Sequence, residues 1–372
     1  MFITRRELFS LVSAAVAHRT IAAAQTRSMT PARRLVLVTI GGIRRQESFS
    51  QQGTVHVPHL FGDLLPQSLF FPYTANEGVT SHFNTISSIL TGVWQHVDDW
   101  GGEKPTNPTL FYYLQRQHKV GPEQTWVVTS NKQLTANIGP GANVILSKQL
   151  MIEAVERIIN GQTSRQKLER EQILQEMTAV LETDYERIGW GVPSTSAFQD
   201  PEVKRTFVTA LANFIHGPDA PASGDELTFL IAREVLQRIS PAILMVNFSD
   251  VEVAHSGSYS LHLGGIRRAD TLCYRLWQFI QSNAELSPNT TLVIMNEFGR
   301  DPDGSGTNGF FNHRTNTECC RMAWSMVLGP AAKKPQVVDR AIRQIDMAPS
   351  IGRWLGLEVE KSPGSLIPEL NV

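Results

Sequence analysis

Two apolar runs, one over residues 242–248 and one over 291–295, are each followed at once by polar and charged residues. Unbroken runs of this length, lacking the alternation of a half-exposed strand, predict strands buried on both faces. Residues 34–40 form a third such run, which ends at Gly41-Gly42. Shorter strands are predicted at 68–73, 125–129, 143–146 and 321–328, with Cys319 at the start of the last. Helical spacing of apolar positions predicts helices over 81–90, 108–117, 258–283 and 344–355. Strands alternating with helices predict an α/β fold, a mainly parallel sheet sandwiched by helices. Between residues 149 and 240 the pattern is helical throughout, with segments at 151–159, 164–182, 203–215 and 226–239. That block reads as a helical insertion beside or over the sheet, and its charge-rich middle as a solvated helix face.

Composition narrows the function classes. The chain has 372 residues, 41% hydrophobic and 19% charged, with a formal net charge of -1. A large core is expected, and global disorder is not. A balanced charge gives no electrostatic footprint for nucleic acid or an anionic membrane. No apolar run approaches the ~20 residues that span a bilayer. Three cysteines, Cys273, Cys319 and Cys320, are too few for a disulfide framework, and the adjacent pair reads as core thiols. The amino terminus carries Arg5-Arg6, a weakly apolar stretch and the small residues Ala22 and Ala24. These features predict a twin-arginine export signal over residues 1–30, leaving 31–372 as the folded domain. An amphipathic amino-terminal helix is the alternative.

Chemistry gathers where the buried runs end. In open α/β sheets, sites form at the carboxyl ends of the strands. Asp250, Glu252 and His255 follow the first run, and Glu297, Arg300 and Asp301 follow the second. Carboxylate oxygen and imidazole nitrogen suit a divalent cation. Asp250, Glu252, His255, Glu297 and His313 are therefore candidate metal ligands. The competing reading makes Asp250 a helix cap and His255 a surface residue. Arg300 is a candidate binder of phosphate or sulfate oxygens, or else a partner of Glu297 or Asp301. Thr80 and Ser81 open a predicted helix, where a hydroxyl either caps the first turn or serves as a nucleophile. No P-loop, dinucleotide fingerprint or Gly-x-Ser-x-Gly elbow is present.

In their order along the chain, these segments resemble the alkaline phosphatase superfamily, especially its sulfatase and phosphodiesterase-like branches. Residues 35–49 resemble its first strand and the turn after it. Residues 58–92, ending in Leu90-Thr91-Gly92, resemble the nucleophile segment. Asp250 to His255 resembles a metal-ligand loop, residues 291–299 the strand that ends in Asp-His-Gly, and His313 the distal metal histidine. Leu328-Gly329-Pro330 and residues 345–357 match its carboxy-terminal segments. The resemblance covers residues 34–147 and 241–358, and the Glu297-Phe298-Gly299-Arg300 motif is closer still to exported sulfatase-like proteins.

The resemblance implies a metal-dependent hydrolase of small phosphate or sulfate esters in the periplasm or outside the cell. Zinc is the first choice of ion. The departures are specific. Gly41 stands where the pattern has Asp, Phe298 where it has His, and His82 near the register of the nucleophile. One metal position is therefore expected to be intact, and the second to keep only Glu297 unless Glu47 or Glu252 moves in. The alternative function is a catalytically impaired, metal-stabilised binding or scaffold protein on the same fold.

Overall fold

The computed structural model describes residues 33–98, 102–131, 134, 141–147, 223–304 and 309–372. The predicted export signal and the predicted helices at 151–159, 164–182 and 203–215 lie outside the described residues. The strands are β1 (Arg34–Ile40), β2 (Leu69–Ala75), β3 (Thr125–Thr129), β4 (Asn143–Leu146), β5 (Ile243–Phe248), β6 (Thr290–Asn296), β7 (Met322–Leu328), β8 (Gln336–Val337) and β9 (Ile342–Arg343). The helices are α1 (His82–Thr91), α2 (Leu110–His118), α3 (Gly224–Arg238), α4 (Tyr259–Ser282), α5 (Glu318–Arg321) and α6 (Met347–Trp354).

One sheet carries the order β4-β3-β5-β1-β6-β7-β2-β8, with β9 on β2. The pairs from β4 to β6 are parallel, and β7 runs antiparallel to both β6 and β2. Alternate residues of each strand face opposite sides of the sheet, and the core follows that alternation. Val36, Val38, Phe248 and Ile294 pack with Leu230 and Val235 of α3 and Leu272 and Leu276 of α4. Leu35, Leu37, Met245 and Val293 pack on the other side with Phe83 and Ile86 of α1, Phe111 of α2 and Trp354 of α6. Each large apolar side chain so buried contributes about 1.5–3 kcal/mol, which is why the three longest apolar runs lie together at the centre. The last helix of the predicted insertion, α3, belongs to this covering layer.

Register decides what the strand ends present. Ile40 lies opposite both Phe248 of β5 and Asn296 of β6. Gly41, Ser249 and Glu297 therefore leave the sheet side by side.

The predicted start of β7 is corrected. Cys319 and Cys320 form part of the short helix α5, and the strand begins at Met322. The Thr317 side chain accepts a hydrogen bond from the Cys320 N–H and caps that turn, which takes both cysteines out of the strand. Cys320 is a buried thiol as expected, whereas Cys319 is exposed.

Candidate metal centre

Glu252 and His255 lie on a 3-10 turn, Asp250–Ser256, directly after β5. Three contacts fix this turn. The buried Asp225 carboxylate accepts the N–H groups of Ser249 at 2.8 Å and Asp250 at 3.1 Å. Asp250 itself turns outward to Arg268, 2.9 Å away. His262 of α4 donates from Nδ1 to the Val251 carbonyl at 2.8 Å. Helix α4 comes so close that a Cβ on Gly265 would stand 2.9 Å from the Val251 nitrogen. Pinned in this way, the turn directs Glu252 inward.

Glu252 reaches across to the end of β1. Its Oε1 accepts the Gly42 N–H at 2.7 Å, and its Oε2 takes the Arg300 Nη2 at 2.6 Å. A Cβ on Gly41 would lie 2.1 Å from Glu252 Oε1, so the carboxylate occupies the space of the missing side chain. Burial alone would raise the Glu252 carboxyl, yet Arg300 and His82 beside it hold it well below the usual carboxylate range.

Two histidines meet at this carboxylate. His255 Nε2 lies 3.1 Å from Glu252 Oε2 and 3.2 Å from His313 Nε2. The Nδ1 of His255 faces the Phe311 carbonyl at 2.8 Å, and the Nδ1 of His313 faces the Thr80 carbonyl at 2.7 Å. A carbonyl only accepts, so each Nδ1 carries a proton, and the two Nε2 atoms turn towards each other, with that of His255 also facing Glu252. Burial, with His82 nearby, keeps the His313 pKa well below its ordinary value. At this distance the two Nε2 atoms hold either a shared proton or a cation between them.

His82 is the member that the sequence patterns did not single out as a ligand. It is the first residue of α1, buried, with Nδ1 2.6 Å from Glu297 Oε2 and Nε2 3.2 Å from Glu252 Oε2. Burial opposes charge on this ring, but Glu252 and Glu297 together raise its pKa well above the ordinary value. Its signal was its place, next after Thr80-Ser81 at a helix start, and that place suggested a hydroxyl. Among the described residues, His82, Glu252, His255 and His313 offer one donor atom each, all within 4.8 Å of one another. Three nitrogens and one carboxylate oxygen suit zinc or a similar divalent ion, so the residues present fit a metal.

The other sequence candidates stand around this group. The Glu297 Oε1 accepts from Asn247 Nδ2 at 3.0 Å, and its carbonyl accepts from Gln344 at 2.6 Å. Glu297 thus faces the centre through His82. Arg300 is fully buried, with Nε on the Gly42 carbonyl at 2.7 Å. Only its Nη1 finds no partner among the described residues. The Thr80 hydroxyl donates to the His313 carbonyl. The Ser81 hydroxyl accepts from Asn84 Nδ2 at 2.8 Å. Phe298 stacks on His313 with ring centroids 4.2 Å apart. Glu47 is buried against Arg44 and belongs to a separate network with Tyr259. Of the four clustered residues, three are buried and His255 is 31% exposed at its side chain, so the centre opens on the His255 side.

No protein-family model matches the chain, and no curated protein is similar to it in sequence. Solved structures are similar in fold. A protein in the alkaline phosphatase superfamily from Vibrio parahaemolyticus matches with TM-score 0.55 at 13% identity, over 91% of this chain and 70% of that one. A sulfatase candidate from Bacteroides thetaiotaomicron matches with TM-score 0.56 at 9% identity, over 90% and 74%. The alkaline phosphatase PafA matches with TM-score 0.53 at 11% identity, over 92% and 99%. The fold is therefore alkaline phosphatase-like. No helix among the described residues is long and apolar enough to cross a membrane.

Proposed function

We propose that this protein is an exported, metal-dependent hydrolase of phosphate or sulfate esters. The observation that carries the reading is the meeting of His255 Nε2 and His313 Nε2 at 3.2 Å, with both Nδ1 atoms committed to carbonyls. Glu252, His255 and His313 would hold a divalent ion, with zinc the first choice. Such an ion supplies Lewis-acid polarisation of the ester and of water.

The chain's own residues have separate tasks in this reading. Glu252 brings the negative charge that a cation needs, and Arg300 positions that carboxylate and balances it. The Arg300 Nη1 remains as a donor for an anionic oxygen. The hydroxyls of Thr80 and Ser81 are already hydrogen-bonded, which favours water over either residue as the nucleophile. Thr80 then serves to orient His313, since it accepts the ring proton at its carbonyl and donates its hydroxyl to the His313 carbonyl. Phe311 adjoins His255 through its carbonyl, and ring contacts through Phe310 link it to Tyr259; these exposed aromatic side chains would meet the organic part of an ester.

Export by the twin-arginine route rests on Arg5-Arg6 and the small residues near Ala24. The same reading assigns residues 31–372 to one domain with a helical insertion at 149–240. A second reading, a metal-stabilised binding or scaffold protein, is favoured by Gly41 and Phe298, where the resembling pattern carries metal ligands. The test is a panel of nitrophenyl phosphate, phosphodiester and sulfate esters given to the zinc-loaded full chain. Turnover that His255→Ala abolishes supports the hydrolase. No turnover on any ester, with metal bound, leaves the scaffold reading.

A further inference from the structure

The contacts of His82 point to a role that neither its sequence position nor the alkaline phosphatase-like fold assigns. We propose that His82 is a metal ligand, completing a single-ion centre of three imidazoles and one carboxylate with Glu252, His255 and His313. The inference deepens the hydrolase reading and rests on the same site.

Spacing is the first support. A tetrahedral ion with bonds of about 2.0–2.1 Å keeps neighbouring donor atoms about 3.3 Å apart. The measured edges are 3.1 Å for His255 to Glu252, 3.2 Å for His255 to His313 and 3.2 Å for His82 to Glu252. Three of the six edges among the four donors therefore already have the length of one coordination shell, and the widest separation, up to 4.8 Å, would close on binding the ion.

Orientation is the second. Metal-bound histidines direct the other ring nitrogen to a carboxylate or a carbonyl, which fixes the tautomer and raises ligand basicity. All three rings satisfy that rule: His255 on Phe311, His313 on Thr80, and His82 on the Glu297 carboxylate at 2.6 Å. Glu297 is held in turn by Asn247, whose Nδ2 also donates to Thr39 and whose Oδ1 accepts from Thr129. A chain of buried hydrogen bonds thus runs from β3 through β5 to the His82 ring.

Exclusion of a second ion is the third. Glu297 turns to His82, Asp250 turns to Arg268, and the space beside Gly41 is filled by Glu252. Phe298 lays an apolar ring against His313. Among the described residues no further carboxylate or imidazole joins the four. His82 then binds the ion, which displaces the Nε2 proton shared with Glu252, and Glu297 is the positioning residue that acts through it.

The test is metal binding by the full chain, read without turnover. Cobalt(II) titration should saturate at one equivalent. X-ray absorption of the zinc form should give three imidazoles and one carboxylate oxygen. Glu297→Gln should weaken zinc retention by about 10- to 100-fold, and His82→Ala should weaken it further. Circular dichroism checks that each variant is folded. Should His82→Ala fail to fold, the absorption spectrum of the unaltered protein and the Glu297→Gln variant still decide. Two bound ions, or a shell with two imidazoles, would overturn the proposal. Wild-type zinc retention in a folded His82→Ala variant would do the same. Ester turnover is scored separately: a silent substrate panel with the expected shell removes the hydrolase reading and leaves the centre standing.

Discussion

Glu252 and Gly41 claim one volume. The Glu252 carboxylate lies where a Gly41 side chain would begin, 2.1 Å from the Cβ position, and Val251 crowds the same point at 2.8 Å. A side chain at 41 and an inward Glu252 are mutually exclusive. Gly41→Ala should therefore push Glu252 off the Gly42 N–H and weaken metal binding more than tenfold. Overpacking of this kind costs about 1–3 kcal/mol, measurable by urea unfolding. Gly41→Asp should behave no better, although it restores the residue of the resembling pattern. Zinc binding at wild-type strength in either variant would refute the competition.

Arg300 and Glu252 form a buried ion pair, with neither side chain more than 4% exposed. Losing one partner of such a pair leaves an uncompensated charge and costs about 3–5 kcal/mol. Arg300→Met should show a loss of that order in chemical denaturation of the metal-free chain. A change below about 1 kcal/mol would mean that His82 alone balances Glu252.

His255 and His313 should separate binding from stability. His255 is the partly exposed member, so His255→Ala should abolish tight zinc binding while the metal-free midpoint stays nearly unchanged. His313 is buried and bonded twice to Thr80. Its replacement by Ala leaves polar groups without partners, at a cost of about 1–3 kcal/mol each. Paired denaturation curves with and without zinc would check both statements. Equal metal-free losses in the two variants would contradict the difference in burial.

His262 should make stability depend on pH. Burial, with Arg300 nearby, pushes its pKa down to about 3, whereas in the unfolded chain it titrates near 6.5. Its folded value is depressed, so its contribution is complete above about pH 6.5 and drains away as the pH falls towards 3. His262→Gln keeps a donor for the Val251 carbonyl but does not titrate. The variant should lose less stability than the wild type between pH 6.5 and 4. Parallel thermal-midpoint curves for the two proteins would exclude His262 as the source.

Much of this architecture was legible in the sequence because burial on two faces writes itself as unbroken apolar runs. The runs at 34–40, 242–248 and 291–295 became the adjacent central strands β1, β5 and β6, and α1 ends at Gly92 with the left-handed φ of 68°. The turn after β5 and His313 were also visible as candidates. What was not visible depends on contacts across the chain. Whether Asp250 or Glu252 turns inward is decided by Arg268 and Asp225, residues with no local signature. His82 stood out only as a departure near the register of the nucleophile, because nothing near it in sequence reveals Glu297 behind its ring. Likewise Arg300 read as an anion binder or a partner of Glu297 or Asp301, and only the packed structure shows its guanidinium committed to Glu252 and Gly42.

The burial of the centre also sets a clock. Among the described residues three of the four donor side chains are buried and the fourth, His255, is partly exposed, its ring held by the Phe311 carbonyl. An ion seated there would leave past His255, helped by any loosening of the 309–313 stretch that holds that ring. Metal exchange would thus follow the opening rate of a short segment rather than the strength of the coordinate bonds. A chelator should strip the protein at a rate independent of chelator concentration, and once loaded the chain would keep its ion through dilution into metal-poor surroundings.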